Sequence, residues 1–171
     1  MTDPILTDIA MDRFLAQVDA LAVAIATAPW RPDHIVGVGR GGLVPATFLS
    51  HAIDRPMLSI DLSAGVPDFA DLLLERLRDR AAKGARLLFV DDINDSGSTI
   101  NGLKTAMADT PDDAVRFAVL IDNIRSIATI DYRAETIDRS VTKDWFVFPW
   151  EAVASRDAVV KDWGVMPDRT R

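Results

Sequence analysis

The apolar run Leu87–Val90 ends on two adjacent aspartates, Asp91 and Asp92. A strand that is apolar at consecutive positions is buried on both faces, the condition of a central strand in a parallel sheet covered by helices on each side. The runs HIVGVG (34–39) and MLSIDL (57–62) before it, and AVRFAVLID (114–122) after it, read as further strands. Between them LVPATFLSHA, DLLLERLRDRAAK and TINGLKTAMAD read as helices, the first with Pro45 in its opening turn and the second closed by Gly84 at C′. Alternating strands and helices predict an α/β fold with a central, mostly parallel sheet. A helix over 8–28 precedes them, with Thr7 as N-cap and Met11, Leu15, Val18, Ala22 and Ile25 on its inner face; Pro29 and Pro32 end it. Past Asn123, IDYRAETI and WFVF read as short strands, and the tail 152–171 as surface or interface.

Length and composition narrow the function classes. The chain has 171 residues, 49% of them hydrophobic, and shows no linker, repeat or low-complexity tract, so one domain over 1–171 is expected. With no cysteine there is no disulfide scaffold, thiolate zinc site or thiol nucleophile. A formal net charge of −7 argues against nucleic-acid binding through a basic face. Neither a leader pattern nor a membrane-length apolar segment is evident, so a cytoplasmic protein is expected. His34 and His51 have no ligand-spaced partners.

Two loops fall at the carboxyl ends of the predicted strands, where ligands bind in open α/β sheets. GVGRGG (37–42) matches G-x-G-x-x-G, with Asp61 at the end of the next strand, which is the fingerprint of a dinucleotide site. The second loop, DDINDSGST (91–99), combines carboxylates with hydroxyls and a glycine. Ser96, Gly97, Ser98 and Thr99 stand at a helix N-terminus, where free backbone N–H groups favour an anion; the plainer reading makes Ser98 or Thr99 the helix cap. Asp91 and Asp92 suit sugar hydroxyls or a hard divalent cation. A phosphate cradle beside a hydroxyl and magnesium site describes a phosphorylated sugar.

LLFVDDINDSGST resembles the phosphoribosyl diphosphate (PRPP) motif of the type I phosphoribosyltransferases, with Ser96 in place of the more usual threonine. GVGRGGLVP is similar to the diphosphate loop of xanthine-guanine phosphoribosyltransferases, and DWFVFPWE to the aromatic tract of their purine site. The matches run in order from about 34 to 151. The resemblance implies a Rossmann-like three-layer fold with a small hood, and an enzyme using Mg2+, PRPP and a purine-like base, working as a homodimer. It implies that Asp95, Ser96, Gly97, Ser98 and Thr99 hold the 5-phosphate, and that Asp91 and Asp92 serve the ribose and, with Glu151, the metal. Gly39, Arg40, Gly41 and Gly42 would take the diphosphate, and Asp95 would accept a proton from the base. Trp145 would stack on the base, and Phe146 would meet its edge. Loop 61–70 would be a lid, and Val159, Val160 and Trp163 in the tail would serve the dimer. Where 6-oxopurine members carry a lysine after the 114–122 strand, this chain has Asn123, whose amide remains a donor. A non-catalytic PRPP-sensing domain and a dinucleotide-dependent oxidoreductase are the alternatives.

Overall fold

In the computed structural model, which describes residues 4–61 and 67–164, the chain begins with strand β1 (Leu6–Asp8) and helix α1 (Met11–Thr27). Next come β2 (His34–Val38), α2 (Gly39–Ala52), β3 (Met57–Ile60), α3 (Pro67–Ala82), β4 (Leu87–Asn94), α4 (Ser98–Ala106) and β5 (Val115–Asn123). The chain continues through β6 (Tyr132–Ile137), β7 (Trp145–Val147), a 3-10 turn at Pro149–Glu151 and α5 (Arg156–Gly164). A five-stranded parallel sheet has the order β3-β2-β4-β5-β6, and β1 pairs in parallel with β7 as a separate ribbon. The order bears out the central place of β4.

Side-chain alternation along β4 builds a core on each face. Leu88 and Val90 pack with Phe14, Val18, Leu21 and Ile25 of α1 and Leu49 of α2. Leu87 and Phe89 pack with Leu77 of α3 and with Ile100 and Leu103 of α4, and Phe89 stacks on Phe117 of β5 at 5.5 Å. Each fully buried large apolar side chain contributes about 1.5–3 kcal/mol, so the rigid part of the molecule is the pair of layers around β4.

Strand order also fixes where a ligand can sit. The second strand of the sheet lies on one side of the first, β2, and the third, β4, on the other. The chain therefore reverses its direction of growth between β2 and β4, which opens a crevice at their carboxyl ends.

Several local expectations are corrected. Thr7 does not cap a helix over 8–28: it lies in β1, paired with Phe146, and its hydroxyl donates to Asp144 at 2.6 Å, so a tertiary partner overrides the capping signal. Along α1 the inner face is Phe14, Gln17, Val18, Leu21 and Ile25, while Met11 and Leu15 are exposed. Pro45 stands inside α2 rather than in a first turn, because the glycines are themselves the helix start. Gly84 does close α3: at φ +93° its N–H meets the Ala81 carbonyl and the next N–H meets that of Arg80. Of the expected lid, residues 62–66 lie outside the described ones, and from Pro67 onward the chain is already α3. Val159 is buried within the chain and so does not offer itself to a second copy. Among the described residues no helix is long and apolar enough to cross a membrane.

Candidate active site

The crevice between β2 and β4 is closed on one side by α2. Gly39 starts that helix at φ +56°, and Gly41 and Gly42 press it against β4. A Cβ on Gly42 would overlap the Val90 carbonyl, and one on Gly41 would run into the Asp92 carboxylate. Only glycine lets the first turn of α2 lie this close to the end of β4. Arg40 projects from the same turn and is exposed.

On the other side β4 runs into the anion loop. Gly97, at φ +88°, is the N-cap of α4 and supplies no side-chain cap, which removes the reading of Ser98 or Thr99 as cap. The first N–H groups of a helix have no backbone partner within it; here that of Ser98 donates to the Ser96 hydroxyl at 3.2 Å, and Gly97 supplies no side-chain cap to those that follow. Ser98 and Thr99 are exposed beside them, and the Ser96 and Ser98 hydroxyls lie 3.0 Å apart. The loop rests on residues the sequence did not single out. Buried Asn94 donates to Asp122 (2.8 Å) and to the Ala128 carbonyl (3.0 Å), and accepts from Ser126 (2.9 Å).

Asp91 and Asp92 end the buried part of β4, and alternation sends them to opposite faces, Asp92 toward Gly41. Burial pushes Asp91 up to about 7, offset in part by the N–H of Asp92, which donates to it at 3.0 Å. Burial also pushes Asp92 well above the usual carboxylate range, and the charges of Asp91 and Glu151 add to the effect. Partly buried carboxylates with no cation among them are costly when ionised.

Asp92, Asp95, Trp145, Phe146, Phe148 and Glu151 meet around a cavity of about 50 Å³, together with Ile93 and Arg139. Phe148 stacks on Trp150 at 4.8 Å, and Glu151 accepts from the Phe148 N–H at 2.9 Å, which fixes the turn after β7.

Arg139 is the residue that sequence reading missed. It sits in the polar stretch after β6, yet its side chain is 4% exposed and bonds to the equally buried Asp95, Nε to Oδ1, at 3.0 Å. Nothing in the local sequence separates it from a surface arginine; burial against Asp95 arises only in the fold. Asn123 is brought beside Asp95 as well, but its carboxamide is already committed. It donates to the Asp95 carbonyl at 2.9 Å and accepts from the N–H groups of Arg125 and Arg139. Asn123 thus ties the Asp95 loop to the segments carrying Arg125 and Arg139.

The family model described as phosphoribosyl transferase domain matches residues 9–155. Orotate phosphoribosyltransferase 2 of Mesorhizobium japonicum is 31% identical over 104 residues, 60% of this chain and 50% of that protein, so the chain spans about half the length of this curated relative. A purine phosphoribosyltransferase from Pyrococcus horikoshii Ot3 superposes with a TM-score of 0.66 at 25% identity, over 88% of this chain and 96% of that one. The xanthine-guanine-hypoxanthine phosphoribosyltransferase of Helicobacter pylori shares the fold, with a TM-score of 0.64 at 22% identity over 86% and 94% of the two chains.

Proposed function

The chain belongs to the phosphoribosyl transferase family, and from that premise we propose that it is an enzyme moving the 5-phosphoribosyl group of PRPP to a purine-type base with release of diphosphate. One observation carries the reading. Asp92 stands against Gly41 in the first turn of α2 and also lines the cavity with Asp95, Trp145 and Glu151, while β4 leads directly into the Gly97 turn that starts α4. The aromatic wall of Trp145 and Phe148 suits a fused ring.

In this reading the α4 amides and the hydroxyls of Ser96, Ser98 and Thr99 hold the 5-phosphate. Asp91 and Asp92 accept the ribose hydroxyls. Arg40, with the backbone N–H groups of Gly39, Gly41 and Gly42, takes the diphosphate; a guanidinium stays charged and matches its oxygens. Trp145 stacks on the base, and Asp95 accepts the ring proton released as the glycosidic bond forms. Among the described residues no three carboxylates gather as a metal cluster, but Asp92 and Glu151 line one cavity, and those two would be the ones to hold Mg2+. Magnesium keeps several water and substrate oxygens, so one or two carboxylates suffice. When bound it supplies charge neutralisation at the leaving diphosphate.

The test is diphosphate release from PRPP and Mg2+ over a panel of xanthine, guanine, hypoxanthine, adenine, uracil and orotate. Release with a purine is expected, and PRPP binding without release on any base would leave only a PRPP-sensing domain. In the same assay Asp95→Asn is expected to keep PRPP affinity within about twofold while kcat falls about 100-fold or more, the usual share of general base catalysis. An unchanged kcat would remove Asp95 from that role.

A further inference from the structure

The strand that carries the aromatic residues of the cavity, β7, pairs with β1 and lies outside the five-stranded sheet. β1 leads after two residues into α1, and the third residue of that helix is Arg13. Its guanidinium grips Glu135 of β6 as a fork, Nε donating to Oε1 at 3.1 Å and Nη2 to Oε2 at 2.5 Å. The guanidinium carbon also lies 5.8 Å from the centre of the Phe146 ring, within the reach of a cation–π contact. Arg13 therefore touches the edge strand of the sheet and an aromatic residue of the ribbon at once.

Phe146 is buried and lines the cavity with Asp95, Trp145 and Glu151. A second guanidinium, that of Arg139, lies 5.2 Å from the same ring and is paired with Asp95. Two arginines thus meet one ring, each anchored by a carboxylate: Arg139 by the loop after β4, Arg13 by the edge strand β6. Arg13 is 38% exposed and Glu135 33%, and an ion pair this wet adds little to overall stability. Its fork still fixes a direction, because a planar guanidinium cannot turn without losing one of its two bonds. What is held in place is the ring of Phe146, and with it the strand that brings Trp145 to the cavity.

We propose that Arg13 is a positioning residue for the aromatic wall: anchored on Glu135, it holds Phe146 and so sets how closely β7 approaches the cavity. It acts through Phe146 and not on a substrate. Its consequence for turnover rests on the transferase reading of the site, in which base binding depends on Arg13 and PRPP binding, on the loops of the five-stranded sheet, does not.

Hydrogen exchange read by mass spectrometry on the ligand-free chain tests the link without any substrate. In Arg13→Met, which keeps the apolar stem and removes the guanidinium, exchange in 144–148 is expected to rise about fivefold, the scale of a partly exposed cation–π contact, while exchange in Leu87–Asn94 stays unchanged. Once Phe146→Leu has removed the ring, adding Arg13→Met is expected to change exchange in 144–148 by less than about twofold. In steady-state kinetics Arg13→Met is expected to raise KM about fivefold for the purine that supports diphosphate release, with kcat and PRPP affinity within about twofold. Unchanged exchange in 144–148 overturns the proposal, as does a rise of the same size throughout the sheet. A full additional effect in the Phe146→Leu background, or an unchanged KM while β7 loosens, overturns it too. Should the double variant fail to fold, the measurements on Arg13→Met decide alone. Diphosphate release with no loosening of β7 sinks the role of Arg13 and spares the transferase reading. Loosening of β7 in a chain that releases no diphosphate with any base does the reverse.

Discussion

Asp91 is a carboxylate held in two conditions at once: ready to lose its proton to a ligand, and penalised for losing it without one. Its folded pKa is pushed up to about 7 by burial, against about 3.9 for an unfolded aspartate. Between those values the folded chain binds the extra proton, so the stabilisation from this group is complete below about pH 4 and is lost as pH rises through 7. Glu135, held below its ordinary range by the Arg13 guanidinium, acts in the opposite sense and only at lower pH. In thermal melts of the ligand-free protein, Asp91→Asn is expected to match the wild type near pH 4 and to exceed it increasingly up to about pH 8. A difference that stays flat across that range would show that Asp91 is not buried as its surroundings indicate. The three aspartates of this loop were legible as a site, because carboxylates at the end of an apolar strand have no packing explanation. Arg139 was not: it is one of 19 basic residues, in a stretch whose neighbours are exposed, and its burial is a property of the distant Asp95.

At the level of elements, the turn from β4 into α4 is the most tightly specified part of the fold. Gly97 is in the left-handed region, and a Cβ there would stand 2.6 Å from Ser126 Oγ and 2.7 Å from the Ala128 nitrogen. Backbone strain of about 1–2 kcal/mol adds to that overlap, whose relief requires the 126–128 loop to shift. Gly97→Ala is therefore expected to lower the stability measured by denaturant unfolding by more than about 2 kcal/mol and to weaken PRPP binding. A variant of wild-type stability and affinity would mean that the loop yields freely. Strands and helices around this turn were readable because their apolar periods are strong. The start of α1 was not, since Thr7 followed by Asp8 carries a genuine capping signal that loses to pairing with Phe146.

For the whole molecule, the two halves of the site stand on different supports. The glycine turn of α2 and the 95–99 loop grow from the five-stranded sheet, whereas among the described strands the aromatic β7 pairs only with β1, in a two-stranded ribbon. The ribbon is fastened by the Thr7–Asp144 hydrogen bond and by Trp145 N–H to the Ile5 carbonyl at 2.8 Å. Thr7→Pro, which removes a ladder donor, is expected to raise KM for the base several-fold while PRPP affinity stays within about twofold. Equal losses for both substrates would show that the ribbon supports the entire crevice. The sheet was legible from sequence as alternating strands and helices; the ribbon was not, because a three-residue strand carries no periodicity and its partner lies at the other end of the site.

The pairing of Leu6 with Trp145 also sets an order in time. On the ribosome the chain emerges from its amino end, so β1 is made early and waits, unpaired, until β7 follows nearly the whole sheet. The crevice proposed for PRPP has its loop residues available once β5 is complete, while the aromatic wall proposed for the base closes last. Leu6–Asp8 spends that interval as a short open edge. Its brevity, and the two charged or hydroxylic residues among its three, keep the waiting strand from pairing with a neighbouring nascent chain.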